Sequence, residues 1–571
     1  MKTVKRIFAC LLAGLLALMM ALPSMAAQET FQITITPNEN DHATHTYEAY
    51  QIFSGDLHEQ DGKKILSNIE WGNGVDGPAL LAALKADATL GTAFQSCESA
   101  SDVADVLQNF ENDAADTQAF AKIVGANLSG VTSGTYSNQV ISGLEAGYYL
   151  VKDADDSLQG EDDAAYTRYI LGVVSDVTVK AKSEVPSVEK SITGENGAQL
   201  SASSASIGDQ IPFTVSSKVP DMTGYNEYFF ILDDTMSRGL TFNDDVAITV
   251  GDKTLQKDQD YTVSFQTNPD GTTSVRIVFV DFIQYQAPSY KDAPVTVTYS
   301  ATLNQDADLT QAGNTNQVEL IYSNDPNHTY TGDPQNPNEP SPTDPVGQTP
   351  ASQTVTYSTS VKLTKVDADT NEALTGAKFE IRGTALKVVL INEEIYRVSD
   401  AGTYYMLKDS TYTQEAPTPE TEDLYDSVTT RYEKVTQVTK DTVTEDICAA
   451  GYVDQNGVLT FEGLNAGEYT ITELVSPAGY NLLSQPIRLV IESTPSLTGC
   501  AWSATIDGNA VSLSGDVISF AVENKSGTQL PSTGGIGTTI FYVVGVLLVV
   551  GAVAVFFTCR RGKEEKSQSE E

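Results

Sequence analysis

Few residues of this 571-residue chain have the types and spacing of a catalytic or metal-binding site. Only four His residues occur, and none stands at the spacing of a metal-ligand motif. No Ser/His/Asp or Cys/His arrangement typical of nucleophilic catalysis stands out either. Cys448 and Cys500 could form a disulfide, or each could lie alone in an apolar core. The sequence therefore predicts no enzyme, no cofactor and no metal.

The two ends of the chain carry stronger signals. A pentapeptide precedes an apolar stretch from about 536 to 557, and a bilayer needs ~20 such residues. Arg560 and Arg561 follow this stretch and would hold the tail on the cytoplasmic side. Residues 1–26 have the basic start, apolar run and Ser-x-Ala site of a secretory signal peptide. The pentapeptide is Leu530-Pro531-Ser532-Thr533-Gly534.

Pentapeptide, apolar helix and basic tail in this order resemble the cell-wall sorting signal of Gram-positive surface proteins. In that family a sortase cysteine cleaves between the Thr and the Gly, here Thr533 and Gly534, and passes the Thr carbonyl to an amine. The resemblance implies that residues 528–571 form a sorting signal, a transmembrane helix and a basic tail.

The chain between these ends is acidic. A formal net charge of −42 argues against nucleic acid or an anionic membrane as the partner of the folded part. About 500 residues remain without the signal and the anchor, and domains of ~150 residues predict three of them. A Thr- and Tyr-rich, Lys-poor composition is typical of a soluble extracellular β-protein.

The first domain, residues 27–183, is predicted to be α+β. It opens with the alternating strand Phe31–Ile35 and closes with strand patterns between 147 and 174. Between them, Asp76-Gly77-Pro78 marks a helix start, and three leucines follow at helical spacing. We expect a sheet with helices inserted into one connection.

The rest of the folded chain is predicted to be β-structure. Residues 184–330 read as strands between turn signals, which favours a β-sandwich. Residues 331–353 hold six prolines among polar residues and predict a semi-extended linker. Residues 354–527 begin with the strand Thr359–Lys365 and contain a polar insertion at about 386–446. The predicted fold class is therefore mainly β, with tandem sandwich domains behind an α+β N-terminal domain.

One internal repeat connects the first and third domains. Residues 143–149 and 463–469 share Gly, Leu, Ala, Gly and Tyr at matching positions. Continuing in register, Asp153 falls opposite Glu473. Two related sheet modules are therefore expected at the two ends of the folded chain.

The third domain resembles a collagen-adhesin B-type domain, an inverse immunoglobulin-like sandwich found in Gram-positive pilins. In that family a first-strand Lys bonds to the side-chain carbon of a last-strand Asn, with loss of ammonia and help from a carboxylic acid. The resemblance implies that Lys365 is the nucleophile, Asn524 the electrophile and Glu473 the acid, with Lys362 on the opposite face of the same strand. The matching stretches are Lys365-Val366-Asp367, Gly376-Ala377-Lys378-Phe379, Tyr469-Thr470-Ile471-Thr472-Glu473, Pro477-Ala478-Gly479-Tyr480 and Glu523-Asn524-Lys525.

This chemistry sets physical requirements. The Lys must be neutral to attack and the acid protonated to polarise the amide oxygen, and apolar burial shifts both pKa values in that direction. Strand pairing would hold the reacting atoms in contact, so proximity supplies most of the rate.

The middle domain resembles the fimbrial domain that carries a second such bond. The corresponding trio would be Lys190, Asp234 and Asn324, with Asp233 and Asn316 as open alternatives for the acid and the amide. The alignment of Tyr322-Ser323-Asn324 with Val522-Glu523-Asn524 favours Asn324. The matching stretches are 207–215, 232–242 and 320–326.

The first domain lacks the nucleophile. Its opening strand has no Lys, and none occurs between Arg6 and Lys63, although Asp153 keeps the acid position. No crosslink is expected there.

The junction of the first two domains resembles, by position, the pilin motif of shaft subunits. There a Lys behind a strand end is the amine that attacks the sortase thioester. Register assigns Lys182 to this acceptor role, with Lys180 as the reserve. Lys180 and Ala181 stand where the family usually has Tyr and Pro.

Across nearly its whole length the chain resembles the backbone subunit of a sortase-assembled pilus. Such a subunit is structural, and the Thr533 carbonyl of one copy would join Lys182 of the next in an open head-to-tail filament. Implied partners are a pilin-specific sortase, a housekeeping sortase, other copies of the chain, accessory pilins and peptidoglycan. The alternative is a monomeric wall-anchored adhesin that binds host matrix or glycans through its first domain.

Overall fold

The computed structural model describes most of the chain between the two terminal signals. It covers residues 29–527, apart from 39–40, 61, 113, 162, 182–183, 384–387, 409–410 and 443–447, together with residues 548–549. The predicted signal peptide, Lys182 and the pentapeptide at 530–534 lie outside the described residues. In the described part, no helix has the length and apolar character needed to span a membrane.

In the first domain, two four-stranded sheets pack together and helices fill one connection, as predicted. The helix start at Asp76 is confirmed, because its side chain accepts a hydrogen bond from the Ala79 N–H at 3.0 Å and Pro78 lies in the first turn. The strands are β1 (Phe31–Thr36), β2 (Tyr47–Gln60), β3 (Lys63–Trp71), β4 (Thr135–Ser137), β5 (Val140–Leu144), β6 (Gly147–Asp153), β7 (Arg168–Val173) and β8 (Val177–Lys180). The helices are α1 (Gly77–Ala86), α2 (Gly91–Phe94), α3 (Ala100–Leu107) and α4 (Ala115–Gly125). The sheet orders are β4-β5-β1-β8 and β3-β2-β6-β7.

The middle domain is a β-sandwich of two larger sheets around the most extensive apolar core. Its strands are β9 (Glu189–Thr193), β10 (Gln199–Leu200), β11 (Ala202–Ser204), β12 (Gln210–Lys218), β13 (Phe230–Met236), β14 (Leu240–Phe242), β15 (Ala247–Val250), β16 (Lys253–Thr254), β17 (Tyr261–Thr267), β18 (Thr273–Phe279), β19 (Pro294–Leu303), β20 (Asn314–Ser323), β21 (Val346–Gln348) and β22 (Ser352–Tyr357). One sheet runs β10-β9-β12-β19-β15-β16 with β14 beside β19. The other runs β11-β22-β20-β13-β18-β17 with β21 beside β20.

The third domain is a second sandwich. Its strands are β23 (Thr359–Asp367), β24 (Lys378–Gly383), β25 (Val388–Val398), β26 (Tyr405–Met406), β27 (Tyr412–Thr413), β28 (Tyr432–Thr442), β29 (Cys448–Tyr452), β30 (Val458–Leu464), β31 (Gly467–Val475), β32 (Ile487–Ser496), β33 (Gly499–Ile506), β34 (Asn509–Ala510), β35 (Leu513–Ser514) and β36 (Val517–Asn524). The sheets are β28-β25-β30-β23-β36-β35 and β29-β24-β31-β32-β33-β34, and β26 and β27 form a small separate pair. The predicted polar insertion corresponds to the hairpin of β25 and β28 with its tip. Short 3-10 helices cover Glu195–Gly197, Phe282–Gln286, Pro288–Tyr290 and Glu422–Leu424.

The predicted linker at 331–353 is corrected by the structure. Its second half enters the middle domain as β21 and the start of β22, which both pair with β20. Its first half is fixed by Asp344, whose carboxylate accepts hydrogen bonds from the backbone N–H groups of Gly332 at 3.0 Å and Ser341 at 2.9 Å. The third domain accordingly begins at Thr359, not at residue 354. Composition alone missed this, because a Pro-rich segment can still pair at the edge of a sheet.

Hydrogen bonds cross both domain boundaries. At the first boundary, the Tyr166 N–H donates to the backbone oxygen of Asn324 at 2.7 Å, and Asn324 Nδ2 donates to the backbone oxygen of Ala164 at 3.2 Å. At the second boundary, the Ile207 N–H donates to the backbone oxygen of Gly463 at 3.0 Å. The predicted fold class, mainly β with an α+β first domain, is confirmed.

Candidate Lys–acid–Asn sites

In the third domain, two neighbouring strands bring Lys365 and Asn524 together. β23 and β36 pair in parallel, with Lys365 opposite Val522 and Asp367 opposite Asn524. Since side chains alternate along a strand, Lys365 and Asn524 both face the core and Lys362 faces solvent. Lys365 is fully buried, an unusual position for an ammonium group.

Glu473 reaches this pair from β31 in the facing sheet. Asn524 Nδ2 donates to Glu473 Oε1 at 2.8 Å, and the Leu483 N–H donates to Glu473 Oε2 at 2.8 Å. Lys365 Nζ donates to the backbone oxygen of Val522 at 2.7 Å. Asn524 Oδ1 is buried and has no hydrogen-bond partner among the described residues. Rotation of the Asn524 amide by 180° would bring this oxygen, in place of Nδ2, next to Glu473 Oε1.

The electrostatics favour a neutral amine. Burial lowers the pKa of Lys365 to about 8, against the opposing influence of Glu473, Glu523 and Asp367. An appreciable fraction of the amine is therefore unprotonated near neutral pH, as nucleophilic attack on an amide carbon requires.

The middle domain buries a second group of this kind. Lys190 on β9 contacts both Asp234 Oδ2 and the Tyr299 hydroxyl, and the Tyr299 hydroxyl donates to Asp234 Oδ2 at 2.5 Å. Asn316 on β20 completes it, because its Nδ2 donates to the Tyr299 hydroxyl at 3.1 Å. All four side chains are buried, and Asp234 Oδ1 and Asn316 Oδ1 have no partner among the described residues.

Burial dominates the titration of this group. It lowers the pKa of Lys190 to about 8, although the Asp234 carboxylate raises it. It raises the pKa of Asp234, although Lys190 and Tyr299 lower it. It also raises the pKa of Tyr299 well above its ordinary value, so this hydroxyl stays protonated. The lowered pKa of Lys190 favours a neutral amine, and the raised pKa of Asp234 favours a protonated acid.

The structure corrects the choice of Asn324 over Asn316. Along β20, Asn316 lies opposite Met236 and Val318 lies opposite Asp234. Asn324 lies beyond the other end of this pairing, six residues from Val318 and therefore ~20 Å along the strand. Its amide instead donates to the first domain, through the backbone oxygen of Ala164. The sequence alignment with the third domain matched residues at the end of the last strand. The residue that lies near Asp234 is instead determined by the register between β13 and β20. Asp233 faces the other side and pairs with Arg276.

Tyr299 was not anticipated from the sequence. Alternation along β19 places it facing the core, but a tyrosine in that position usually only packs. Its contact with three polar partners depends on the packing of the two sheets, which no local pattern encodes.

In the first domain, a histidine and not a lysine contacts the buried acid. His45 is buried, with Nδ1 at 2.7 Å from Asp153 Oδ1 and Nε2 at 3.0 Å from Asp41 Oδ1. The Thr167 N–H donates to Asp153 Oδ2 at 2.7 Å. Desolvation lowers the pKa of His45, but the hydrogen bonds to Asp153 and Asp41 outweigh it and raise the pKa to about 9. The imidazolium neutralises the buried acid without the capacity to form an amide. The sequence analysis missed His45, which precedes β2 and carries no motif.

The repeat of the first and third domains is confirmed as a shared local structure. The Tyr149 hydroxyl donates to the backbone oxygen of Glu145 at 2.7 Å, and the Tyr469 hydroxyl donates to that of Asn465 at 2.8 Å. Asp153 on β6 and Glu473 on β31 follow these tyrosines at the same spacing.

The acceptor segment leaves the first domain from β8. Lys180 is the last residue of this strand and is exposed. The next residue, Ala181, is buried, and its N–H donates to the backbone oxygen of Thr36 at 2.8 Å. Lys182 lies outside the described residues.

The proposed disulfide is not supported. Cys500 on β33 is a free, buried thiol. Cys448 lies on β29, four strands away in the same sheet and therefore at ~19 Å between strand axes, far beyond the reach of a disulfide. Among the described residues, no three or more His, Cys, Asp or Glu side chains are grouped to hold a metal ion.

Comparison with known families gives three matches along the chain. Residues 207–326 match the Gram-positive pilin backbone subunit 2, Cna-B-like domain. Residues 359–499 match a prealbumin-like fold domain, and residues 522–565 match the LPXTG cell wall anchor motif.

Individual proteins resemble the chain over most of its length. The trypsin-resistant surface T6 protein of Streptococcus pyogenes serotype M6 is 25% identical over 467 residues, which cover 77% of this chain and 79% of the relative. The solved structure of the T6 backbone pilin of that organism aligns with 14% identity and a TM-score of 0.48, covering 88% of this chain and 100% of the other. The full-length major pilin SpaD of Corynebacterium diphtheriae aligns with 14% identity and a TM-score of 0.42, covering 88% and 98%. Through these matches, the chain is similar to backbone subunits of Gram-positive pili.

Proposed function

We propose that the chain is a structural subunit of a covalent pilus, in which a sortase joins Thr533 of one copy to Lys182 of the next. The Lys182 nitrogen bonds to the carbonyl carbon of the Thr533–sortase thioester, the C–S bond breaks, and the cysteine thiol leaves with a proton. The observation that carries this proposal is the position of the lysine segment. It follows an exposed strand end, Lys180, at the boundary of the first two domains of a chain with a wall anchor.

The same proposal names the partners. A pilin-specific sortase builds the filament, and a housekeeping sortase transfers its base to peptidoglycan. Accessory pilins carry related sorting signals and are attached to the filament by the same transpeptidation reaction. The subunit itself supplies substrates to these enzymes and is not an enzyme.

We further propose one Lys–Asn bond in each sandwich domain, Lys365–Asn524 and Lys190–Asn316. In each reaction the lysine nitrogen bonds to the asparagine Cγ, the Cγ–Nδ2 bond breaks, and Nδ2 leaves as ammonia after receiving a proton. The acid, Glu473 or Asp234, donates to the amide oxygen during the attack and regains its proton at the end. Support comes from the burial and contacts of each group, and from Tyr299 as an additional donor in the middle domain.

Polymerisation tests the proposal. Wall extracts boiled in SDS should show a ladder of covalent multimers, and Lys182→Ala should reduce it to wall-linked monomer. Lys180→Ala is the matched control, because it removes the neighbouring exposed lysine and should preserve the ladder. A monomer band alone from the unmodified protein would contradict the proposal and favour the wall-anchored adhesin.

A further inference from the structure

The last strand of the first domain has an unoccupied edge. β8 ends the sheet β4-β5-β1-β8 and pairs in parallel with β1. Within the part of the chain that the structure describes, no strand pairs with its other edge. In the third domain, β36 has the same relation to the first strand β23, but β35 covers its outer edge near Ile518. Among its described residues, the first domain therefore has no counterpart of β35.

Register shows which backbone groups face this edge. The Ala181 N–H donates to the backbone oxygen of Thr36, and Thr36 lies opposite Lys180. In a parallel ladder, alternate residues direct both N–H and C=O to the same neighbour. Val177 and Val179 therefore bond to β1, whereas the backbone groups of Thr178 and Lys180 point to the empty side.

The segment behind the third domain has the length and direction to fill this edge. Six residues, Thr528–Thr533, separate the last described residue of the domain, Gly527, from the cleavage site. Six residues also lead from Val177 to Lys182. β23 begins next to the middle domain, and β36 runs parallel to β23. β36 therefore ends at the side of the third domain that is farthest from the middle domain, and the segment would continue from there. In a head-to-tail filament it meets the outer end of the first domain, where β8 begins, and runs parallel to β8.

Side-chain alternation agrees with one register. Placing Thr533 beside Lys182 puts Leu530 beside Val179, whose side chain is half-buried. In this register Leu530 would extend the apolar face of β8, and Thr533 would lie on the same face of the sheet as the exposed Lys180.

The proline in the segment also agrees with this register. In this register the backbone oxygens of Thr178 and Lys180 would accept hydrogen bonds from the N–H groups of Leu530 and Ser532. Each of these donors directly follows the residue that lies opposite Thr178 or Lys180. Pro531, which has no N–H, directs its nitrogen away from β8, where no donor is needed.

We propose that the outer edge of β8 binds residues Thr528–Thr533 of a second copy of this chain as an added parallel strand. This rests on the proposed joining of Thr533 to Lys182. The added strand delivers the Thr533 carbonyl to the acceptor lysine and covers the open edge in the finished filament.

Hydrogen exchange of the natural filament tests the added strand directly. The amides of Thr178 and Lys180 should exchange at least about tenfold more slowly in purified multimers than in the monomer of the Lys182→Ala variant. Equal exchange in the two samples would overturn the proposal.

Substitution of Thr178 provides the second test. Thr178→Pro removes an outward N–H without removing a bond to β1, and should lower the multimer-to-monomer ratio about fivefold. Thr178→Ala, which keeps the N–H, should leave the ratio unchanged. Both variants are compared by thermal unfolding of the first domain, and the exchange measurement decides if the proline variant proves unstable.

The outcomes separate this inference from the proposed function. A ladder that depends on Lys182, combined with unprotected amides and an unaffected Thr178→Pro variant, would remove the added strand and keep the covalent pilus. Absence of any ladder in the unmodified protein would remove both.

Discussion

At the scale of single residues, the two sandwich domains and the first domain each bury a carboxylic acid, but they place different side chains beside it. Glu473 and Asp234 face a lysine with a lowered pKa and an asparagine with an unpartnered oxygen. Asp153 faces His45. The first arrangement favours amide formation, whereas the second favours a stable ion pair.

The crosslinks should be visible in the mass of the ectodomain. We expect the intact mass to fall short of the sequence mass by two molecules of ammonia. Asn316→Ala and Asn524→Ala should each restore one, and Glu473→Ala should restore the one in its own domain. Loss of a crosslink should also destabilise its sandwich by roughly 2–4 kcal/mol, because a covalent tie constrains the unfolded chain.

Asn324→Ala is the matched control for Asn316→Ala. Both remove a buried amide from the same region of the chain, but only Asn316 lies within two residues of the position opposite Asp234 and contacts Tyr299. A variant at Asn324 that restores an ammonia, with no change at Asn316, would reverse the assignment.

The first domain should lose stability at alkaline pH. The pKa of His45 is raised to about 9, so its contribution to folding is complete below the ordinary His value of about 6.5 and is lost as pH rises through 9. We expect a decrease on the order of 2 kcal/mol between pH 7 and 10. Burial raises the pKa of Tyr47 and Tyr169, which face the same site, so neither ionises in this window.

Fluorescence of Trp71 can follow this domain in a Trp502→Phe background, since these are the two tryptophans of the chain. His45→Gln should flatten the pH dependence. An unchanged decrease in that variant would assign the effect to other groups.

At the scale of elements, the Pro-rich segment depends on one carboxylate. Asp344 is buried and accepts hydrogen bonds from backbone N–H groups on both sides of a turn, and from His328 Nε2 at 3.0 Å. Asp344→Ala leaves these donors without an acceptor, which costs about 1–3 kcal/mol per buried group. We expect much faster proteolysis between residues 331 and 345. Asp333→Ala, which removes a half-buried carboxylate that accepts one bond from the Gln335 N–H, should change proteolysis much less.

At the scale of the whole molecule, the joint between the second and third domains depends on a glycine. Gly463 has φ +81°, and a Cβ there would lie 2.4 Å from Ile207 of the middle domain. Its repeat counterpart Gly143 has φ +79° with no atom within 4 Å of the same position. Gly463→Ala should therefore open the joint and broaden the distance distribution in small-angle scattering. Gly143→Ala carries the same backbone strain and should leave it unchanged, and equal broadening in both would exclude an effect of the joint.

Much of the molecule follows from local features of the sequence. The terminal signals, the acidic composition and the turn signals determine export, anchoring and the succession of β-domains. The third-domain trio was assigned through the resemblance to a collagen-adhesin B-type domain, and the structure places Lys365, Glu473 and Asn524 together on the buried side of their strands.

The remainder depended on tertiary structure. Asn316 lies on β20 and Asn324 follows the last residue of that strand, so only the pairing of β20 with β13 determines which amide lies near Asp234. Tyr299 and His45 enter their sites from elements distant in the chain, and the Pro-rich segment finds a strand partner that its composition does not indicate. Alternation and composition are local properties, whereas register and the packing of one sheet on another arise from contacts between residues far apart in sequence.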